Sequence, residues 1–529
     1  MRFFNTAGPI NPADHYCVPP LSRFNLDEIL LLLQQKKYFV LHAPRQVGKT
    51  SYMLALAAYL NQQGDYRALY VNIEAAQALR EDVKESMRVI LGAIASAARD
   101  FLHDDFPDEN MLPVLDKHGG GALEEFLTRW AQNSPKPLIL FIDEIDALIG
   151  DTLISVLRQL RAGYYKRPEL FPQSIILCGV RDVRDYRIHS SREKTIITGG
   201  SAFNVKAESL RLGDFTRAEV MLLLNQHTEE TGQPFTSEAL DLIWHLTQGQ
   251  PWLVNALGYE VTFKLKEGRD RTQPLTEAMV RTAKENLILR RETHLDQLVD
   301  KLQEPRVHRV IAPMLAGENL DKAVSEDDIK YLIDLGLVRR GQHGPQIANP
   351  IYREVIPREL TFVTQLNFES NVQSSWYMTN DGRIDMDKLL TAFQQFFREH
   401  SEAWVERFDY KEAGPQLLLQ AFLQRVINGG GRIEREYGLG RKRTDLLLLW
   451  PYAQGQIIQK AVLELKIRYG KLEDTVAEGI AQTWHYMDRA NTAEGHLIIF
   501  DRDPDKAWAN KIFVRSETYK QTIIKIWGM

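Results

Sequence analysis

The sequence predicts an α/β protein with two separate sheet-containing units, and three observations carry that reading. The chain has 529 residues, too many for one hydrophobic core, so two to four domains are expected. Up to Val180, short apolar β-like runs alternate with helix-like stretches, the pattern of a parallel sheet covered on both faces. A second alternation of strands and helices begins beyond residue 412, after a polar stretch from 363 to 411 that reads as a partly helical linker.

Composition narrows the setting. The chain is 44% hydrophobic and 26% charged, as in an ordinary folded protein. Its net charge of -5 excludes a global basic field, so any nucleic-acid surface must be a local patch. Cys17 and Cys178 are far apart and lack metal-ligand spacing, which points to a reducing compartment. Cys178 lies in the apolar run from Ser174 and reads as a small core residue. The run Ile29-Leu30-Leu31-Leu32-Leu33 is too short to cross a bilayer, and Met1-Arg2-Phe3-Phe4-Asn5 is no secretory signal. A cytoplasmic protein without a membrane partner is expected.

The first chemical motif follows the β-like run Lys37–His42. There Ala43-Pro44-Arg45-Gln46-Val47-Gly48-Lys49-Thr50 leads into a helix pattern that stops near Gly64. Strand, loop, Gly-Lys-Thr and helix form the setting of a phosphate-binding loop. Pro44, Arg45, Gln46, Val47 and Gly48 would wrap the phosphates of ATP with backbone N–H groups. Lys49 would reach the β- and γ-phosphates, and the Thr50 hydroxyl would bind Mg2+. Ala43 stands where such loops usually begin with glycine, which is tolerable if that position keeps a negative φ.

A second strand, Pro137–Glu144, is continuously apolar and ends in acid. Asp143 would hold Mg2+ through water, and Glu144 would polarise the attacking water. Arg67–Ile73 and Ser174–Val180 read as further strands. Arg181 follows the last of these at the carboxyl edge of the sheet, where ligands bind in open α/β folds. It is a candidate sensor of the γ-phosphate, or else a surface arginine paired with Asp182 or Asp185. Arg158 and Arg161 could act on a neighbouring subunit's nucleotide, although solvated helix charges are the simpler reading.

These runs, with Asp143-Glu144-Ile145-Asp146, Val180-Arg181-Asp182, Leu212–Thr216 and Gly249–Asn255, resemble bacterial AAA-like ATPases of the STAND group over residues 10 to 360. The resemblance implies a P-loop ATPase domain (1–212), a helical lid (213–292) and a winged helix (293–362). It also implies that Pro251, in a Gly-x-Pro turn of the lid, touches the nucleotide. From the residues alone, Gly249-Gln250-Pro251 is a loop that starts a helix. On the wing, Arg339, Arg340 and His343 could read DNA, but Glu326, Asp327 and Asp328 on the preceding helix would repel phosphate.

The last segment, 412–529, carries a different constellation. Asp445 opens one strand, and Glu464 and Lys466 sit two apart on the next, so they share a face. Asp445, Glu464 and the Leu465 carbonyl form a hard-oxygen set suited to Mg2+ or Mn2+. Such a metal would activate water for phosphodiester hydrolysis, with Lys466 orienting it. Gln482 and Tyr486 lie four apart on one face of a following helix. Arg432, Arg435, Arg441, Lys442 and Arg443 form a local phosphate-attracting patch, unless Arg435 and Arg443 pair with Glu434 and Glu436.

This segment resembles the PD-(D/E)XK nuclease superfamily, a restriction-endonuclease-like α/β fold. The resemblance makes Asp445, Glu464 and Lys466 the core motif, with Thr444 in place of its usual proline. It makes Gln482 and Tyr486 the accessory motif, and Glu412 an assisting acid just before the helix-breaking Gly414 and Pro415. The expectation is an ATP-gated, Mg2+-dependent nuclease acting on nucleic acid, with DNA favoured and defence against foreign DNA suggested by analogy. A homo-oligomer and an unidentified activating partner are further expectations. The alternatives are a nucleotide-dependent switch whose nuclease-like domain is a docking module, and an ATPase that remodels DNA.

Overall fold

The structure is a computed structural model that describes residues 1–190, 195–290, 294, 301–302, 304–316, 324–341, 344–360, 377–407, 419, 422–423, 432–435, 445–452, 457–468, 470–501, 503 and 506–529. The chain divides into two compact units. One comprises Met1–Leu295 with Lys330–Ile351, the other Asp296–Ile329 with Tyr352–Met529.

The first unit opens with a two-residue parallel pair, β1 (Phe3–Phe4) and β2 (His15–Tyr16), and then α1 (Leu26–Gln34). Five strands build its main sheet: β3 (Tyr38–His42), β4 (Arg67–Asn72), β5 (Leu138–Asp143), β6 (Ser174–Gly179) and, after the hairpin of β7 (Arg187–Ser190) and β8 (Thr195–Thr198), β9 (Lys206–Arg211). All five run parallel in the order β4-β5-β6-β3-β9. Every residue of β5 is buried, as its unbroken apolar run requires of a strand covered on both faces. Alternate side chains feed two cores. Val40, Leu140, Ile142 and Leu177 pack with α3 (Val83–Leu102), α4 (Phe106–His118), α5 (Ala122–Asn133), α6 (Gly150–Ala162) and the short α7 (Gly199–Ala202). Phe39, Leu41, Phe141 and Ile176 pack with α1 and α2 (Lys49–Gln63).

Helices α8 (Arg217–Thr231), α9 (Ser237–Thr247), α10 (Pro251–Tyr259) and α11 (Glu277–Arg290) follow, in the stretch read as a lid. Thr216 caps α8 in a reciprocal capping box with Glu219. Gly249 is required before α10: its φ is +83°, and a Cβ there would lie 2.0 Å from the Phe215 carbonyl oxygen. The order then runs α12 (Pro305–Ala316), α13 (Glu326–Asp334), the hairpin of β10 (Val338–Gly341) and β11 (Gly344–Ile347), and α14 (Pro350–Leu360). Ser325 Oγ accepts from the Asp328 amide at 3.1 Å and so caps α13. His343 lies outside the described residues.

The second unit contains a mixed six-stranded sheet in the order β12-β13-β14-β15-β17-β16. Its strands are Arg432–Arg435, Asp445–Tyr452, Ile457–Ile467, Gly495–Phe500, Phe513–Tyr519 and Thr522–Gly528, numbered β12 to β17 in that sequence. Strand β14 pairs antiparallel with β13 and parallel with β15, and α16 (Leu472–Ala490) makes the crossover. One face packs Leu447, Leu449, Val462 and Leu497 with α16. The other packs Leu446, Leu448, Leu463 and Ile498 with α15 (Met386–Arg407).

Helix α15 lies in the stretch 363–411 that reads as a partly helical linker, and it packs into the core of the C-terminal sheet. Leu389, Leu390, Phe393, Phe396 and Phe397 form one helical stripe and are all buried in the core of the C-terminal sheet. Glutamine 394 donates to the carbonyls of Phe513 (3.0 Å) and Gly528 (2.8 Å), tying the helix to the sheet's far edge. Among the described residues, no helix is long and apolar enough to cross a membrane. A Phe393→Ala substitution is expected to destabilise this unit by about 3–5 kcal/mol. Urea unfolding followed by tryptophan fluorescence checks this; an unchanged midpoint would return α15 to the role of a linker.

Candidate functional sites

The phosphate-binding loop joins the carboxyl end of β3 to the first turn of α2. Its turn is made at Gln46 (φ +59°) and Gly48 (φ +102°), while Ala43 keeps a negative φ. The missing first glycine is therefore harmless, and Ala43 is instead a buried anchor whose amide donates to Gly179 O of β6 at 3.2 Å. A loop of this kind, leading into a helix N-terminus, offers backbone N–H groups to an anion. Lys49 Nζ donates to the carbonyls of Ala43 (2.9 Å) and Pro44 (3.0 Å), which hold the ammonium across the loop.

The neighbouring strands bring the acids to the same edge. Thr50 Oγ1 donates to Asp143 Oδ2 at 3.0 Å, so the two expected Mg2+ ligands meet although 93 residues separate them. Asp143 is 1% exposed and also accepts a hydrogen bond from the Tyr70 hydroxyl at 2.8 Å and from the Glu144 amide at 2.9 Å. A hydroxyl and a carboxylate in contact form an oxygen donor pair of the kind a hard divalent cation takes, so these residues fit Mg2+. Glu144 sits in the left-handed region (φ +59°), a costly conformation that turns it away from the strand. Burial raises its pKa, and Asp146 and Asp143 add to that, against Lys49 and Arg45. A more basic carboxylate at this edge is equipped to take a proton from water.

Arg181 is engaged by the end of α13. Its guanidinium pairs with Asp334 Oδ2 at 3.4 Å and stacks over the Tyr331 ring at 4.8 Å, both at the end of α13. Asp182 pairs with Lys206 (2.6 Å) and Asp185 with Lys330 (2.6 Å). Pro251 is the first residue of α10, with Gln250 as its side-chain cap. Arg339 Nη1 donates to Gln248 Oε1 at 2.8 Å, so this wing residue is engaged by the neighbouring helix turn. Arg158 is exposed and lines a cavity of about 700 Å³ with Lys84, Asp151 and Gln159.

Sequence reasoning missed Arg23. Its guanidinium donates to the carbonyls of Val47 (3.2 Å) and Gly213 (2.5 Å), lies 4.5 Å over Phe215 and pairs with Glu219 at 3.7 Å. It therefore joins the phosphate-binding loop to the start of α8. No local pattern around Pro19-Pro20-Leu21-Ser22-Arg23 marks it.

In the second unit Asp445 and Glu464 are direct partners in the β13–β14 ladder. Glu464 is 1% exposed, and its Oε2 has no hydrogen-bond partner among the described residues. Lys466 Nζ approaches Glu464 Oε1 at 3.2 Å and Glu478 Oε1 at 3.7 Å. Glu478, which sequence reasoning missed, also accepts from Gln482 Nε2 at 3.2 Å. Described pairing of β13 with β14 ends at Glu464, and Leu465 lies one residue beyond it. Tyr486 packs its ring against the core beneath α16. An unpartnered buried carboxylate oxygen fits a cation better than a solvated strand face. Glu412, Glu436, Arg441, Lys442 and Arg443 lie outside the described residues, and among the described residues no group of three acids, histidines or cysteines is placed to hold a metal.

A phosphate-binding loop at the switch from strand to helix, an acid-ended strand beside it and a five-stranded parallel sheet define a P-loop ATPase. The chain belongs to the AAA-like domain family, whose model matches residues 25–357. No curated protein sequence matches it. Among solved structures, the Walker-type ATPase PABY2304 of Pyrococcus abyssi is similar over 67% of this chain and 99% of that one, at 15% identity and a TM-score of 0.46. The Thermotoga maritima RuvB Holliday junction branch migration motor is similar over 63% and 93%, at 15% identity and a TM-score of 0.33.

A Glu144→Gln protein is expected to bind ATP normally and to lose turnover by about 100-fold or more, read as phosphate release. In the parent protein turnover should fall on the acid side, beginning at a higher pH than for an ordinary carboxylate. The sign follows from the raised pKa: below it the carboxyl is protonated and cannot accept water's proton.

Proposed function

We propose that this protein is an ATP-gated, metal-dependent nuclease, with DNA as the leading substrate. The observation that carries the nuclease half is Glu464: a buried carboxylate with one oxygen unpartnered among the described residues, opposite Asp445 in the ladder and 3.2 Å from Lys466. A resident Mg2+ or Mn2+ would lower the pKa of a bound water and offset charge on the phosphate. Asp445, Glu464 and the Leu465 carbonyl would hold it. Lys466 would orient the water, and Gln482, with Tyr486 packed behind it, would steady the ammonium through Glu478. The PD-(D/E)XK resemblance of this segment points the same way.

For the ATPase half, Pro44 to Thr50 would wrap Mg-ATP, with Thr50 and Asp143 on the metal and Glu144 as the base. A STAND-type gate is supported by the end of α13, which holds Arg181 through Asp334 and Tyr331. Gly336, just beyond, lies against Pro44, where an added Cβ would come within 2.8 Å of the proline ring. ATP biases such a gate only by binding its two states unequally. Arg181 and Pro251 are the residues through which we expect it to do so.

A second reading keeps the switch and makes the C-terminal unit a docking module. Lys466 favours it to the extent that its charge is already shared by Glu464 and Glu478. A cleavage assay separates the two, using plasmid DNA and single-stranded RNA with Mg2+ or Mn2+, with and without ATP. The nuclease reading expects cutting that changes with ATP and drops about 100-fold or more in Glu464→Ala protein. Cutting that survives Glu464→Ala, or none from folded protein that binds ATP, puts the docking module first. Asp334→Asn is expected to raise basal ATP turnover about fivefold or more by loosening the hold on Arg181. Unchanged turnover would remove this contact from the gate.

A further inference from the structure

We infer that Tyr70 is a positioning residue for the Mg-ATP site, acting through Asp143. The inference rests on the nucleotide-site reading above and adds a residue outside the phosphate-binding loop and the acid-ended strand. Tyr70 lies on β4, paired in register with Phe141 of β5, so it approaches the end of β5 from the adjacent strand. Its hydroxyl donates to Asp143 Oδ2 at 2.8 Å, the same oxygen that accepts from Thr50 Oγ1 at 3.0 Å. The other carboxylate oxygen accepts from the Glu144 amide at 2.9 Å.

The three donors divide the work unequally. The Glu144 amide comes from the residue next to Asp143, so it moves with the strand end and fixes little. The Thr50 hydroxyl has one proton to give, and its oxygen would be a ligand of the metal. Tyr70 is the donor that neither moves with Asp143 nor binds the metal. Its ring packs beside Phe141 and Cys178 in the core under α2, which fixes where the hydroxyl points. The carboxylate is thereby aimed before the metal arrives, and that ordering cost is removed from binding.

The test measures binding of a fluorescent ATP analogue across a Mg2+ titration, and again in EDTA, for parent and Tyr70→Phe proteins. The ring stays, so the core stays packed. The variant is expected to need about tenfold more Mg2+ for half-saturation, as befits loss of one hydrogen bond to a charged acceptor. Affinity in EDTA should stay within about twofold, since the hydroxyl does not reach the phosphates. In an Asp143→Asn background the same substitution should add no further shift, because the pathway through the carboxylate is already gone. An unshifted Mg2+ curve overturns the inference, and so does an equal shift in the Asp143→Asn background or an equal loss in EDTA. Parent protein with no Mg2+-dependent gain in affinity would instead overturn the nucleotide-site reading, and this inference with it.

Discussion

The ATPase unit is organised around the burial of Asp143, a carboxylate at the end of a strand covered on both faces and 1% exposed. A buried charge is costly unless every lone pair finds a donor or a cation. Here the donors come from separate stretches of chain: Thr50 from the phosphate-binding loop, Tyr70 from β4 and the Glu144 amide from the turn after β5. The Cys178 thiol of β6 stands beside it as well, its pKa pushed well up by burial and then by Asp143. Satisfying one carboxylate thus demands that β4, β5, β6 and the start of α2 be in register. The parallel sheet supplies that register, with β4, β5 and β6 adjacent and β3 delivering the loop next to them. Apolar packing fills the two faces; this polar requirement fixes where the strand ends must meet.

Glu464 in the second unit is the instructive contrast. It is as buried as Asp143, but its charge is met by an ammonium at 3.2 Å on one oxygen, while the other has no partner among the described residues. Asp143 is stabilised mainly by protic donors and can wait for a metal without strain. Glu464 has an acceptor still unmet, and in a low-dielectric interior such an acceptor favours a cation strongly. The same residue type at the same depth therefore has different chemistry, decided by what surrounds it. The difference lies in neighbours drawn from α16, since Glu478 engages the lysine from that helix.

How much of this was legible in the sequence follows from the range of the signals. The strands before and beside the phosphate-binding loop, and the helix stopped at Gly64, came from local pattern and match within a residue or two. The tolerance of Ala43 also followed from local argument, because a negative φ needs no glycine. The stripe Leu389, Leu390, Phe393, Phe396, Phe397 was equally local, but it lies in a stretch whose overall polarity reads as a linker. Other features are long-range and left no local trace. Arg23 meets Gly213 across 190 residues, and Arg181 meets Asp334 across 153. Periodicity shows that a residue faces inward; it does not name the partner when several acids are in reach, as Asp182 and Asp185 were for Arg181.

The contacts around Arg181 suggest why an ATPase of this kind would make its sheet edge crowded. One short segment, the end of α13 with Gly336 and β10, meets Arg181 through Asp334, Pro44 through Gly336, the end of β9 through Arg211 and the turn before α10 through Arg339. Arg211 donates to the Ile333 carbonyl at 2.9 Å, so the segment is held by its backbone as well as its side chains. A ligand changes an equilibrium only by contacting its two states differently. Pro44 belongs to the loop that must wrap phosphate, and Arg181 stands at the carboxyl edge beside it. Any rearrangement of the loop around ATP therefore bears on the Gly336 contact directly, without a long chain of intermediates. In the proposed gate, the pairing of Arg181 with Asp334 would set the opposing side of the balance, because breaking it leaves a buried charge on each partner. A contact costly to break and close to the ligand is what a two-state element needs: stable without nucleotide, yet within reach of the binding energy that nucleotide provides.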